Sequence, residues 1–158
     1  MTPHDRAAHL IHLLRDRAET LAAAESLTGG MFGAALTSVP GASVVFRGGV
    51  VAYSTDMKER LLGVPHHVIN HAGAVSEEAA AAMADGVRRL FDATYGVSLT
   101  GVAGPDLQEG KPPGLVYVGV SSPRGERVEK VQLIGERDAV RASAVDAALA
   151  LITQAATE

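Results

Sequence analysis

Residues 20–30 read TLAAAESLTGG, and this stretch decides the fold. Its first half, residues 20–24, is a short apolar run typical of a buried strand. Residues 25–30 then interrupt the run with polar side chains and two glycines. Apolar residues return at helical spacing over residues 32–39. The order predicts a strand, a polar turn and a helix, which is the repeating unit of a layered α/β domain.

The rest of the chain continues this alternation of strands and helices. Residues 122–125, Ser-Pro-Arg-Gly, suit a tight turn and predict a hairpin between the last two strands. Hydrophobic periodicity and capping residues predict four further helices: about residues 3–18, a short helix after the cap Ser54, a helix that begins at Ser76, and about residues 138–155. Further strands are predicted over residues 49–53, 96–101, 115–120 and 128–133. We therefore expect one domain over residues 1–158, a three-layer α/β/α sandwich with a mixed sheet.

Composition narrows the class of protein. The chain has 158 residues, 47% of them hydrophobic and 20% charged, which excludes disorder, and it has no cysteine for disulfides or thiolate chemistry. A net charge of −4 and only 4% aromatic residues argue against nucleic acid or an anionic membrane as a partner. No apolar run approaches the roughly 18 residues that cross a bilayer, and the polar N-terminus does not resemble a signal peptide, so we expect a cytoplasmic location.

The same composition predicts self-association. Few aromatic residues and a mean hydropathy of +0.14 suggest that the chain buries further apolar surface between subunits. We therefore expect a homo-oligomer.

Polar residues interrupt the apolar strand and helix pattern at the expected carboxyl ends of strands, where α/β proteins bind ligands. The first interruption places the Ser26 hydroxyl beside Gly29 and Gly30, whose amides are open to close approach by an anion or oxyanion. A simpler interpretation is that Ser26 or Thr28 only caps the following helix. The residues themselves leave both interpretations open.

Lys58 is the candidate general base. It is one of three lysines against eleven arginines, and lysine, unlike arginine, can lose its proton in a protein. Burial of the side chain and its place one turn into the helix after Ser54, near the positive end of the helix dipole, both predict a lowered pKa. An ordinary surface lysine is the alternative. Lys111, in a proline-rich loop, and Lys130, on an edge strand, are weaker candidates.

Two other groups of polar residues offer less specific signals. Residues 66–71, HHVINH, would place His67 and His71 on one face only if they formed a helix, which Pro65 and the β-branched Val68 disfavour. We therefore predict a loop and no metal site. Arg137 and Arg141, four residues apart on the last helix, suit either a phosphate or simple exposure to solvent.

Several short motifs, in this order, resemble one known family. They are residues 24–30 (AESLTGG), 40–43 (PGAS), 48–54 (GGVVAYS) with Lys58, 73–76 (GAVS), 100–105 (TGVAGP) and 111–114 (KPPG). Together they resemble the C-terminal domain of the competence/damage-inducible proteins, CinA, whose stand-alone members are nicotinamide mononucleotide deamidases of the PncC type. The likeness extends from about Thr20 to Leu151. It departs from the family after Pro105, where DLQEG replaces a segment with a glycine pair, so we expect a differently shaped loop there.

The resemblance implies an amidohydrolase that converts nicotinamide mononucleotide to nicotinic acid mononucleotide and ammonia without a cofactor. It implies Ser26 as nucleophile and Lys58 as base, with Tyr53 at the same site. The expected substrate-binding residues are Glu25, Thr28, Gly29, Gly30, Gly48, Gly49, Ser76, Thr100, Gly101, Ala103, Gly104, Pro105 and Arg141. The alternatives are a non-catalytic module that binds nucleotide or phosphate, and an accessory protein in competence or DNA damage.

Overall fold

The computed structural model describes residues 1–158 and contains six α-helices and five strands. In chain order these are α1 (Pro3–Asp16), β1 (Leu21–Glu25), α2 (Met31–Thr37), β2 (Phe46–Val51), α3 (Thr55–Leu62), α4 (His66–His71), α5 (Glu77–Leu90), β3 (Tyr95–Gly101), β4 (Leu115–Ser122), β5 (Gly125–Gln132) and α6 (Arg137–Thr157). A short 3-10 helix at Ala42–Val44 precedes β2.

The five strands form one mixed sheet in the order β2-β1-β3-β4-β5. Strands β2, β1 and β3 are parallel, whereas β4 and β5 form the predicted antiparallel hairpin. Helices cover both faces, which confirms the three-layer α/β/α sandwich with a mixed sheet.

Strand β1 lies between β2 and β3 with helices on both faces of the sheet, which explains why its residues are mostly small and apolar. Leu21 and Ala23 pack into the larger core cluster, which includes side chains of α1, α2 and α6. Ala22 and Ala24 point to the opposite face and pack with side chains of α3 and α5. Because alternate residues of a strand face opposite sides, a strand between two helical layers must be apolar throughout.

Helix α6 is long and apolar enough by composition to cross a membrane. In this fold its buried apolar residues, from Val140 to Ile152, pack into the core.

The prediction of a loop at residues 66–71 is wrong, because these residues form the short helix α4. Pro65 is its N-cap residue, a place where proline's fixed φ does not obstruct the helix. His71 Nδ1 donates to the carbonyl oxygen of His67 at 2.8 Å, and His66 Nδ1 lies 2.8 Å from Glu59 Oε1. No group of three or more His, Asp or Glu side chains is arranged to hold a metal ion.

Gly86 sets the close approach of α3 to α5, and we expect Gly86→Ala to destabilise the protein. In an ordinary helix this change stabilises by about 1 kcal/mol. Here the added methyl group would overlap the backbone carbonyl oxygen of Leu62 at the end of α3. The free energy of unfolding in urea should fall by about 1–3 kcal/mol. A gain in stability would show that the two helices do not pack this tightly.

Candidate active site

The carboxyl ends of the three parallel strands meet at one edge of the sheet and form a cleft of about 330 Å³. Ser26 follows β1, Tyr53 follows β2 and the loop from Val102 follows β3. Because Glu25 pairs with Val51 and Leu99, these three chain segments leave the sheet at the same level. The cleft is lined by Ser26, Leu27, Tyr53, Gly101, Val102, Ala103, Gly104, Pro105, Asp106, Leu107, Gln108 and Arg137.

Ser26 and Lys58 are in direct contact at the base of this cleft. The Lys58 Nζ atom lies 3.0 Å from Ser26 Oγ and also donates to the carbonyl oxygen of Ala52 at 2.9 Å. The lysine is only 2% exposed, and Ser26 is 8% exposed. Helix α3 makes this possible because it begins directly after β2 and turns Lys58 back toward the strand end. Ser54 is the N-cap residue as predicted, although its hydroxyl donates to Asp56 at 2.8 Å.

Burial prepares Lys58 to act as a base. Removal from water disfavours the charged ammonium and lowers the lysine pKa from 10.5 to about 8, and the negative charge of Glu109 opposes this shift. Desolvation is therefore the main cause of the lowered pKa, and burial was one of the two causes expected from the sequence. A neutral amine beside a hydroxyl can accept the hydroxyl proton.

Glu25 is buried under the turn that carries Ser26. Its Oε1 accepts from the Thr28 hydroxyl at 2.7 Å and from the amides of Gly30 and Phe32, while Oε2 accepts from the amide of Gly33 at 3.0 Å. A carboxylate at the start of α2 also suits the helix dipole. Both oxygens are occupied, so in this structure Glu25 holds the turn in shape.

We expect Glu25→Gln to lower the free energy of unfolding by about 2 kcal/mol or more. The amide removes the charge and turns one acceptor into a donor, which would face backbone N–H groups that also donate. Urea denaturation at neutral pH measures the loss. Glu129→Gln on the exposed face of β5 is the control and should change stability by less than about 0.5 kcal/mol. Equal effects at both positions would contradict this account of Glu25.

The backbone amides available for an oxyanion differ in part from the expected ones, which were those of Thr28 to Gly30. The Gly29 amide donates to Ser26 O at 3.1 Å and the Gly30 amide to Glu25, so both are occupied. The amides of Leu27 and Thr28 make no hydrogen bond within the chain. The Leu27 amide directly follows Ser26, and Leu27 lines the cleft. It is therefore the best-placed donor for charge that develops next to the serine.

The opposite wall of the cleft offers two further free amides. Neither Ala103 nor Gly104 donates a backbone hydrogen bond, and both residues line the cleft together with Gly101 and Pro105. The structure thus brings this part of the predicted site into the same cavity as Ser26 and Tyr53.

Arg137 reaches the cleft, whereas Arg141 lies behind the turn. The Arg137 guanidinium donates to Gly104 O at 2.6 Å and to the Tyr53 hydroxyl at 3.2 Å. Arg141 Nε donates to Leu27 O at 2.9 Å and does not line the cleft. Both arginines were candidates for binding a phosphate, but only Arg141 was among the expected substrate-binding residues, whereas Arg137 is the one that lines the cleft. Their helical spacing was visible, but which of them faces the cleft depends on how α6 packs.

The remaining predicted residues lie outside the cleft. Gly48 and Gly49 sit within β2, where added side chains would collide with Phe91 and with the backbone of Ala23. Ser76 caps α5, accepting from the Ala79 amide at 3.1 Å, and the Thr100 hydroxyl donates to Ala74 O at 2.7 Å. Their visible roles are close packing and capping.

The fold and the cleft together define a layered α/β domain in which a buried lysine contacts a serine at the end of the first parallel strand. Comparison with known proteins identifies the same class. The CinA C-terminal domain model matches residues 4–156, and this chain belongs to that family.

Individual relatives agree with this assignment. A CinA-like protein of Frankia casuarinae is 49% identical over 143 residues, which are 90% of this chain and 33% of that protein. The chain spans about a third of the length of the curated relatives it matches. Among solved structures, the competence/damage inducible protein CihA of Agrobacterium tumefaciens has 31% identity and a TM-score of 0.94, covering 99% of this chain and 96% of that one. A CinA superfamily protein of Escherichia coli has 30% identity and a TM-score of 0.95, covering 98% and 90%.

Proposed function

We propose that this domain is an amidohydrolase that deamidates nicotinamide mononucleotide through a serine nucleophile and a lysine base. The observation that carries the proposal is the 3.0 Å contact between Ser26 Oγ and the buried Nζ of Lys58. Membership of the CinA family and the resemblance to deamidases of the PncC type supply the substrate.

The first half-reaction forms an ester on Ser26. Neutral Lys58 takes the hydroxyl proton as the serine oxygen attacks the carboxamide carbon. The carbonyl oxygen becomes negative and is stabilised by backbone amides, of which the Leu27 amide is the first candidate. Protonated Lys58 then gives its proton to the departing nitrogen, the C–N bond breaks, and ammonia leaves.

The second half-reaction restores the enzyme. Water attacks the ester carbon while Lys58 again accepts a proton, and the C–O bond to Ser26 breaks as the lysine returns that proton to the serine oxygen. The net change is amide plus water to carboxylate plus ammonium. The proton shuttle involves only Ser26, Lys58 and water.

The lining of the cleft suits the two charged parts of nicotinamide mononucleotide. Arg137 offers a guanidinium to the phosphate. The exposed Tyr53 ring can stack on the pyridinium, and the Asp106 carboxylate complements its positive charge.

Ammonia release from nicotinamide mononucleotide by the purified domain tests the proposal. We expect one ammonia for each nicotinic acid mononucleotide formed, with a Ser26→Ala sample as the blank. Nicotinamide riboside, which lacks the phosphate, should be a poorer substrate. Binding without turnover would instead support the non-catalytic nucleotide-binding module, and absence of both would support the accessory role.

A further inference from the structure

A tight turn at the tip of the loop between β3 and β4 holds a glutamate in an unusual backbone conformation. Gln108 and Lys111 exchange backbone hydrogen bonds of 3.1 and 2.8 Å, which leaves Glu109 and Gly110 as the two central residues. Their φ angles are +55° and +72°. Such turns favour Asn or Asp before Gly, because a Cβ atom is strained at positive φ and the short polar side chains of Asn and Asp offset this by local hydrogen bonds. Strain that persists in a loop beside a candidate active site points to a function for the side chain.

The Glu109 carboxylate joins this turn to the segment that precedes α5. Oε2 accepts from the Ala74 amide and Oε1 from the Val75 amide, both at 2.9 Å. Lys111 strengthens the same connection, since its Nζ lies 3.7 Å from Glu109 Oε1 and donates to Ala72 O at 2.9 Å and to Val75 O. Four side-chain hydrogen bonds, two accepted by Glu109 and two donated by Lys111, therefore attach the turn to the segment that precedes α5.

The loop between β3 and β4, which carries this turn, forms one wall of the cleft. Its residues 102–108 line the cavity, including the free amides of Ala103 and Gly104. The segment to which it is fastened is itself fixed to β3 by the hydrogen bond from Thr100 to Ala74. A rigid support for this wall keeps the amides and Arg137, which donates to Gly104, at constant distances from Ser26.

We propose that Glu109 is a positioning residue that clamps this wall of the cleft in place, through the hydrogen bonds that its carboxylate accepts from the Ala74 and Val75 amides. The proposal rests on the proposed function, because it assigns Glu109 a role in the same site.

Glu109 is the charged group whose field shifts the Lys58 pKa, and it raises that pKa against the effect of burial. Glu25 is occupied by the amides of α2, and Arg137 by Gly104 and Tyr53. The other charged groups on the elements packed around Lys58 are exposed, half-buried or engaged with other partners: Asp56, Glu59, Arg60, Glu77, Glu78 and Lys111. Removing the Glu109 charge should therefore make Lys58 easier to deprotonate.

Lysine NMR tests the charge directly, since the chain has only three lysines. In protein labelled with ¹³C-lysine, the Lys58 Cε resonance of the wild type should titrate near pH 8. Glu109→Gln keeps the side-chain length and should move this midpoint down by roughly half a pH unit. Glu109→Asp keeps the charge and should leave the midpoint within about 0.2 units. If Glu109→Gln does not fold, Glu109→Asn removes the same charge with a residue that suits the turn.

Kinetics test the clamp. Glu109→Asp is too short to reach both amides and should raise KM for nicotinamide mononucleotide about tenfold, because small displacements of a binding wall are costly. In Glu109→Gln the acidic limb of kcat/KM should also shift to lower pH, in step with the lysine resonance. An unchanged KM in Glu109→Asp would overturn the proposal. A wild type without ammonia release would overturn the proposed function, while calorimetric titration of nicotinamide mononucleotide into wild type and Glu109→Asp would still test the clamp.

Discussion

Ser26→Ala and Lys58→Met should each lower kcat for deamidation at least about 10³-fold, and the double variant should be little worse than either single one. The reason is that the two side chains perform one proton transfer, over a contact of 3.0 Å. Once either partner is lost, the other has nothing left to contribute. Steady-state ammonia release gives kcat, and calorimetric titration with nicotinamide mononucleotide should show binding retained within a few-fold.

Lys130→Met is the matched control for the lysine. Lys130 lies on the exposed side of β5, away from the cleft, so its loss should leave kcat and KM unchanged. Thermal unfolding must accompany each measurement, since Lys58 is buried and its replacement alters packing. Near-wild-type turnover by Ser26→Ala, or effects of the two single variants that multiply in the double one, would rule out a catalytic serine–lysine pair.

Most of the fold was predictable because local patterns and tertiary packing agree. The run at residues 20–24 is apolar on both faces, as a strand between two helical layers requires, and β1 occupies that position. The residues at 122–125 favour a tight turn by themselves, so the hairpin of β4 and β5 could be predicted from the sequence. Helix α4 could not be predicted, because six residues after Pro65 are too few to show a helical period.

Part of the site was predictable from topology. Ser26, Tyr53 and the loop from Val102 follow three parallel strands, so their convergence at one edge of the sheet could be expected. Glu25 accepts a hydrogen bond from the Gly30 amide, and Glu109 accepts one from the Ala74 amide. No local sequence pattern predicts either of these pairings. The choice between Arg137 and Arg141 is of the same kind, because it depends on the rotation of α6 against the sheet.

Lys58 shows which part of a side chain's environment the sequence can report. The rarity of lysine and the motif around Tyr53 drew attention to it, and burial and the helix dipole were both expected to lower its pKa. Burial is the larger cause, because α3 folds back over the end of β2 and places Nζ against Ser26 and Ala52. Burial of a side chain four bonds long is a property of the packed layers, and sequence spacing does not report it.

A lysine pKa of about 8 determines how activity should depend on pH. The neutral amine is the active form, so kcat/KM should rise as pH increases through about 8 and level off above it. At pH 7 about a tenth of the molecules carry neutral Lys58, roughly 300 times more than at the ordinary pKa of 10.5. Rates measured from pH 6 to 10 test this limb, and rates that are constant over that range would contradict it.

The Lys58→Arg variant should be nearly inactive at every pH from 6 to 10. The positive charge and most of the side-chain length remain, but a guanidinium does not release a proton in this range and cannot accept one from Ser26. Substrate affinity should therefore fall far less than kcat, which calorimetric titration and ammonia release measure separately. Lys130→Arg, the same exchange on β5, should have no effect on either quantity. Substantial turnover by Lys58→Arg would eliminate the lysine as general base and leave Ser26 to be activated by another group, of which Tyr53 is a candidate that lines the same cleft.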